Sequence, residues 1–237
     1  MIILGLADNH DAGAALVIDG KLVGAINQER VDRKKGSGGF PWGAIDVLLK
    51  QHNVAYRHVD RVVVGSAFTP IAALRKRRDK HQQARSRGQF SVLLHGYMVY
   101  QSALRRSGLH TLEVERCRDV LHQVLQERPF NNPDLRLMDH HLAHAEGAYR
   151  TQPLDHCLVL TLDGMGDGLS SSAWIGHDGD LRPIWDQTGM AAINLFYSRI
   201  TELLGFTPLR HEGKITGLAA YEPPPATLVE HFRQEVA

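Results

Sequence analysis

One arrangement of β-type runs occurs twice in this chain, near residues 2–31 and again near 157–188. In the first copy, Ile2-Ile3-Leu4-Gly5-Leu6 reads as a strand, and a polar loop leads to a second strand, Ala14 to Ile18. Asp19-Gly20 is a strong hairpin signal, because both turn positions favour left-handed backbone. A third strand, Lys21 to Val31, returns across it. In the second copy, His156 to Gly164 reads as a buried strand ending in a glycine-rich loop, and Ser170 to Gly176 is its partner. His177-Asp178-Gly179 then turns into Leu181 to Asp186. A duplicated strand–loop–strand–turn–strand module predicts two related lobes with a ligand between them.

By fold-level analogy this is the α/β architecture of duplicated actin/hexokinase-like (ribonuclease H-like) lobes with mixed sheets, each offering a hairpin loop to phosphates. The first lobe is expected over 1–152. Residues 153–237 read as the start of a second, incomplete lobe, whose exposed apolar surface predicts low stability of the piece alone. Phe40-Pro41-Trp42 opens a helix with Ile45, Leu48 and Leu49 inward, and Arg61 to Ser66 reads as a buried strand. Leu112 to Leu125 is an amphipathic helix with Leu112, Val120, Leu121, Val124 and Leu125 on its core side. The basic run at 71–88 reads either as a solvated segment or as a positive wall for a phosphate-bearing ligand. Residues 226–237 begin a helix whose apolar side, Leu228, Val229, Phe232 and Val236, has nothing to pack against.

Composition removes several function classes. A net charge of +1 predicts no general affinity for nucleic acid or for a membrane surface. No apolar run approaches the ~20 residues that span a bilayer, and "MIILGLADNHDAG" has no basic leader, so the protein reads as cytoplasmic. Two cysteines, Cys117 and Cys157, cannot make a disulfide framework or a cysteine-rich zinc module.

The chemistry-bearing residues are few. In "MDHHLAHAEGAY" a helix starting near Asp139 sets His140 and His144 one turn apart on one face, close enough for two ring nitrogens to reach one ion. The same spacing also occurs on solvated helices. Asp163, in "LDGMGDG", could be folded back over the helix start. Two imidazoles and one carboxylate with open positions describe a catalytic site better than a closed structural one, and iron(II), zinc and manganese are all admissible. His141 is one position out of phase and either faces the cleft or packs beneath the site. Gly164, Gly166 and Gly168 allow backbone N–H groups to approach a phosphate. In the twin loop, Asn9 to Ala14, His10 and Asp11 form a pair in which His10 is either a general base or a turn histidine. "GKIT" at 213–216 lacks the upstream glycine of a P-loop, and His211-Glu212 lacks the second histidine of a zincin.

Taken in order, "LGLADNHDAGAALVIDGKLVGAINQERVDRKK", "FPWGAIDVLL", "MDHHLAHAEGAY", "LTLDGMGDG" and "LLGFTPLRHEGKITGLAAY" resemble the O-carbamoyltransferases of antibiotic and nodulation-factor biosynthesis, relatives of the tRNA threonylcarbamoyladenosine transferases. The resemblance runs from residue 3 to about 221. It implies a transferase domain that binds carbamoyl-adenylate between its lobes. A separate C-terminal domain, outside this chain, would make that intermediate from carbamoyl phosphate and ATP. The carbamoyl group would pass to a hydroxyl of a small-molecule acceptor, such as a natural product or sugar.

By position, His140, His144 and Asp163 match the family's metal ligands, with Fe(II) the first choice and Zn or Mn alternatives. A further metal aspartate is expected beyond residue 237. His10 and Asp11 match the His-Asp signature of the transfer step. Lys34 or Lys35 falls where a basic residue follows the Glu-Arg motif, a phosphate or acceptor contact. Gly13, Lys34, Gly164, Gly166, Gly168 and Lys214 are the expected nucleotide-binding positions. Two positions depart from the family pattern: Gln28-Glu29 replaces an acidic pair, and Gly13 replaces a serine. The competing readings are a tRNA threonylcarbamoyl transferase, which the basic run would suit, and a non-catalytic nucleotide-binding remnant.

Overall fold

In the computed structural model, residues 1–76, 92–208 and 210–236 are described. The first sheet is mixed and five-stranded, in the order β3-β2-β1-β4-β5. It comprises β1 (Ile2–Ala7), β2 (Gly13–Ile18), β3 (Lys21–Asn27), β4 (Arg61–Val64) and β5 (Asp134–Leu137). β1, β2 and β3 pair antiparallel, whereas β4 and β5 run parallel to β1. That order and sense are those of one actin/hexokinase-like lobe. The second sheet holds β6 (Cys157–Gly166), β7 (Leu169–His177) and β8 (Asp180–Thr188), all antiparallel, repeating the first three strands of the first.

Period-two patterning places Leu4, Leu6, Leu16, Val62, Val64 and Leu135 inside. Two helices cover them. Helix α2 (Trp42–Gln51), which follows the short α1 (Gln28–Asp32), brings Ala44, Ile45, Leu48 and Leu49. Helix α5 (His110–Leu125) brings Leu121 and Leu125, and it follows α3 (Ala72–Arg75) and α4 (Val92–Ser107). Each such leucine contributes roughly 1.5–3 kcal/mol by leaving water. Helix α6 (His140–Arg150) lies on the second sheet instead, where Ala145 and Tyr149 meet Val159 and Trp174.

Several expectations need correction. β3 ends at Asn27, and residues 28–32 turn into α1, which lets the Gln28 amide oxygen accept the Ala44 N–H at 2.9 Å and tie down the start of α2. Leu112 is 59% exposed; α5 is rotated so that Glu113 goes inside, accepting the Ala72 N–H at 2.8 Å. β6 is buried on one face only: Val159 and Thr161 face α6, while Leu158, Leu160 and Leu162 lie on the open face of a three-stranded sheet. Helix α9 (Ala226–Val236) is not without a neighbour, since the Phe232 ring sits 5.8 Å edge-on from Phe196 of α7 (Ile193–Leu203). Of the basic run, 77–88 lies outside the described residues, and Arg75 is neither solvated nor on a ligand wall but 4% exposed. No described helix is long and apolar enough to cross a membrane.

Candidate metal centre and its two hairpins

Helix α6 begins where the sequence places it. The Asp139 carboxylate caps it, accepting the Leu142 N–H at 3.1 Å, and also holds Arg105 of α4 at 2.6 Å. The cap fixes His140 in the first turn and His144 one turn later, with ring centroids 4.6 Å apart. Their Nε2 atoms are 3.0 Å apart, and the Asp163 carboxylate reaches the His140 Nε2 at 2.7 Å. All three ligand atoms lie within 4.8 Å of one another. Ligands about 2.1 Å from one ion and at right angles to each other stand about 3 Å apart, so the two spacings that involve His140 suit a divalent cation. The set is graded in access: His140 is buried, Asp163 half-buried and His144 exposed. One side of the group is therefore open to solvent.

The charges agree with this geometry. The hydrogen bond from His140 holds the Asp163 carboxyl down at about 2, against its burial. Burial pushes the His140 imidazole down, but Asp163, helped by Asp167 and Asp139, outweighs it and leaves the ring more basic than usual. Burial and the neighbouring His140 make His144 less basic. A cation held by these residues would compete with protons for the His140 imidazole and would take a proton's place opposite Asp163. The His140 Nδ1 is buried and has no hydrogen-bond partner among the described residues, which leaves Nε2 as the ring's working atom. His141 packs beneath the group, fully buried between the Thr161 hydroxyl at 2.6 Å and the Leu169 carbonyl at 3.1 Å.

The glycine-rich loop is more closed than its sequence suggests. Asp167 (φ +49°) and Gly168 (φ +80°) form the same left-handed pair as Asp19-Gly20 and Asp178-Gly179, so the loop is a tight two-residue hairpin turn. A Cβ on Gly166 would stand 2.0 Å from the His140 ring, and one on Gly168 would stand 2.7 Å from the Gln101 carbonyl. Both glycines thus admit neighbouring protein groups at close range. Gly164 is half-buried, and its N–H is donated to Asp163 at 2.7 Å.

A second group forms at the first hairpin. His10 and Asp11 are half-exposed, with Nε2 and a carboxylate oxygen 3.1 Å apart. The segment after α1 folds over them: the Ala12 N–H donates to the Ser37 carbonyl and the Gly39 N–H to the Asn9 carbonyl, each at 2.9 Å. Lys34 is exposed on that segment, and Gly13 opens β2 directly after the loop. Lys214 stands apart on α8 (Glu212–Ala219), its ammonium 5.9 Å over the Phe206 ring. Among the described residues no hydrogen bond or ion pair joins it to His140 or His144.

Sequence reasoning missed the segment between the hairpins. Asp8, the residue after β1, is buried against Arg75, whose guanidinium binds both its carboxylate oxygens (2.8 and 3.2 Å). The same guanidinium donates to the carbonyls of Ser66 (2.9 Å) and Ala67 (3.1 Å). Asp167 takes the other side of that segment, accepting the N–H groups of Ala67 (2.7 Å) and Phe68 (2.8 Å) and the Ser66 hydroxyl (3.0 Å). The sequence signal was the spare acid in "DGMGDG", which no ligand role had absorbed.

Known proteins bear on this arrangement. The family model described as "Carbamoyltransferase N-terminus" matches residues 2–237. The chain is 31% identical over 227 residues to the uncharacterized protein sll1178 of Synechocystis sp., covering 94% of this chain and 35% of that one. It is 25% identical over 215 residues to the nodulation protein NolNO of Sinorhizobium fredii, covering 91% of this chain and 28% of that one. It thus spans about a third of the length of these relatives. Among solved structures, YeaZ from Pseudomonas aeruginosa aligns with a TM-score of 0.39 at 13% identity, covering 79% of this chain and 68% of that one. With a match along its whole length, the chain belongs to the carbamoyltransferase N-terminus family.

Proposed function

We propose that this chain is the transferase part of an O-carbamoyltransferase that moves a carbamoyl group from carbamoyl-adenylate to a hydroxyl of a small molecule. The observation that carries the reading is the convergence of His140, His144 and Asp163, from two separated segments, on one half-open point in a chain of this family. These three residues would hold a divalent ion, iron(II) first and zinc or manganese otherwise. Bound there, the ion supplies electrostatic stabilisation of negative charge developing on the acyl-adenylate.

This chain's own residues do the rest. His10, kept beside Asp11 in a half-exposed loop, takes the proton of the acceptor hydroxyl. The acceptor oxygen then bonds to the carbamoyl carbon, the bond from that carbon to the phosphate oxygen breaks, and AMP leaves. Lys34, Gly13 and the Gly164 edge of the second hairpin contact the adenylate phosphate, and Lys214 contributes charge from α8. Gly166 and Gly168 serve the site by admitting His140 and α4 closely.

The test uses the full-length protein with labelled carbamoyl phosphate and ATP, offered either a hydroxylated small molecule or tRNA. Label is expected on the small molecule, dependent on ATP, and lost in His10→Ala. Transfer to tRNA alone, or no transfer to either, would overturn the proposal.

A further inference from the structure

Asp163 and Asp167 lie four residues apart in one hairpin, and both are acids near two histidines. Only Asp163 turns to the imidazoles. Asp167 is fully buried, and its two carboxylate oxygens accept four hydrogen bonds: from the Ser66 hydroxyl and the N–H groups of Ala67, Phe68 and His140, the last at 2.9 Å. Buried carboxylates persist only when fully bonded, and this one is. Its own N–H donates to the Thr69 hydroxyl at 2.8 Å, and that hydroxyl donates to Gln101 of α4 at 3.0 Å.

The donors come from two segments that are distant in sequence, the stretch after β4 and the first turn of α6. His140 is the first residue of that helix, so the bond to its N–H sets where its imidazole starts. Asp163 sits on the strand that ends at the Asp167 turn. One side chain therefore fixes the backbone under His140 relative to the strand that carries Asp163. Next to it, Gly166 leaves the His140 ring room to lie on the hairpin.

The geometry points to Asp167 as a positioning residue for the metal centre: it binds no metal, but holds His140 and Asp163 at coordinating distance. This inference rests on the reading of the three residues as metal ligands. Asparagine keeps the shape but turns an NH2 group toward N–H donors, so it cannot accept all four bonds.

The probe is Co2+ titrated into the full-length protein, with affinity and ligand-field absorption read together. Asp167→Asn is expected to bind Co2+ at least tenfold more weakly than wild type, with an altered absorption band. The matched control is Leu121→Ala, a cavity in the first sheet's core; it lowers the melting temperature and leaves Co2+ affinity unchanged. Wild-type affinity and spectrum in Asp167→Asn, with His140→Ala losing Co2+, would overturn this inference alone. Absence of Co2+ binding to the wild type would overturn the metal reading beneath it. If Asp167→Asn fails to accumulate, Thr69→Val removes the hydroxyl that accepts the Asp167 N–H. It should weaken Co2+ several-fold, and wild-type affinity in that variant would overturn the inference.

Discussion

The two hairpins share a strand pattern and differ at their tips. In the first, Asp8 to Ala12 form an open five-residue loop. In the second, a two-residue turn closes the strands, and the irregularity moves back to between Leu162 and Gly166, where Asp163 sits. Each hairpin also buries one carboxylate against the segment 66–68, by opposite means. Asp8 reaches its carbonyls through the Arg75 cation, whereas Asp167 takes its N–H groups directly. The crossbar is thus gripped from both sides. The first hairpin's tip is tied to the segment after α1 through Ser37 and Gly39 and keeps His10 and Asp11 half-exposed, whereas the second is closed by its two-residue turn.

The largest effect should come from breaking the charged grip. Arg75→Met leaves Asp8 buried and unpaired, and should cost roughly 3–5 kcal/mol in chemical denaturation, with Asp8→Leu added on top recovering part of the loss. If the single variant is near neutral, the ion pair does not hold the crossbar.

Next come the glycines, one per hairpin. Gly166→Ala puts a methyl into the His140 ring and should cost about 2–3 kcal/mol, together with most metal affinity. Gly13→Ala meets the Ile26 carbonyl at 3.2 Å, and its expected cost is about 1 kcal/mol or less. Equal losses at the two sites would erase the distinction between an open tip and a closed one.

Much of this contrast is readable in the sequence and part of it is not. Local rules disclose the strands, the Asp-Gly turns at 19–20 and 178–179, and the one-turn spacing of His140 and His144. The turn at 167–168 has the same signature but is masked by the other glycines around it. Asp167 and Arg75 escape because their partners are non-local: the donors to Asp167 stand 27 to 101 residues away, and Arg75 lies within a basic run that reads as solvent-facing. The swap of Leu112 for Glu113 on α5 has a related cause. A one-residue rotation of a helix is fixed by what needs a partner, here the Ala72 N–H, rather than by hydrophobicity.

The smallest effect is a reporter of the same contrast. Burial pushes the Cys117 thiol up to about 11, so at pH 8 only about a thousandth is thiolate. Cys157, half-exposed on β6, should be alkylated first by iodoacetamide, with Cys117 protected until its packing against Ala67, Phe68 and Ala72 opens. Arg75→Met should speed Cys117 labelling without changing that of Cys157, as followed by peptide mass spectrometry.

On the proposed function, the second hairpin, with α6, would hold a divalent ion, while the first would handle the acceptor. Metal content of the purified full-length protein tests it most directly, comparing wild type, His10→Ala and the His140→Ala/His144→Ala double variant. About one equivalent of metal is expected in the first two and near none in the third. Equal metal in all three would contradict it.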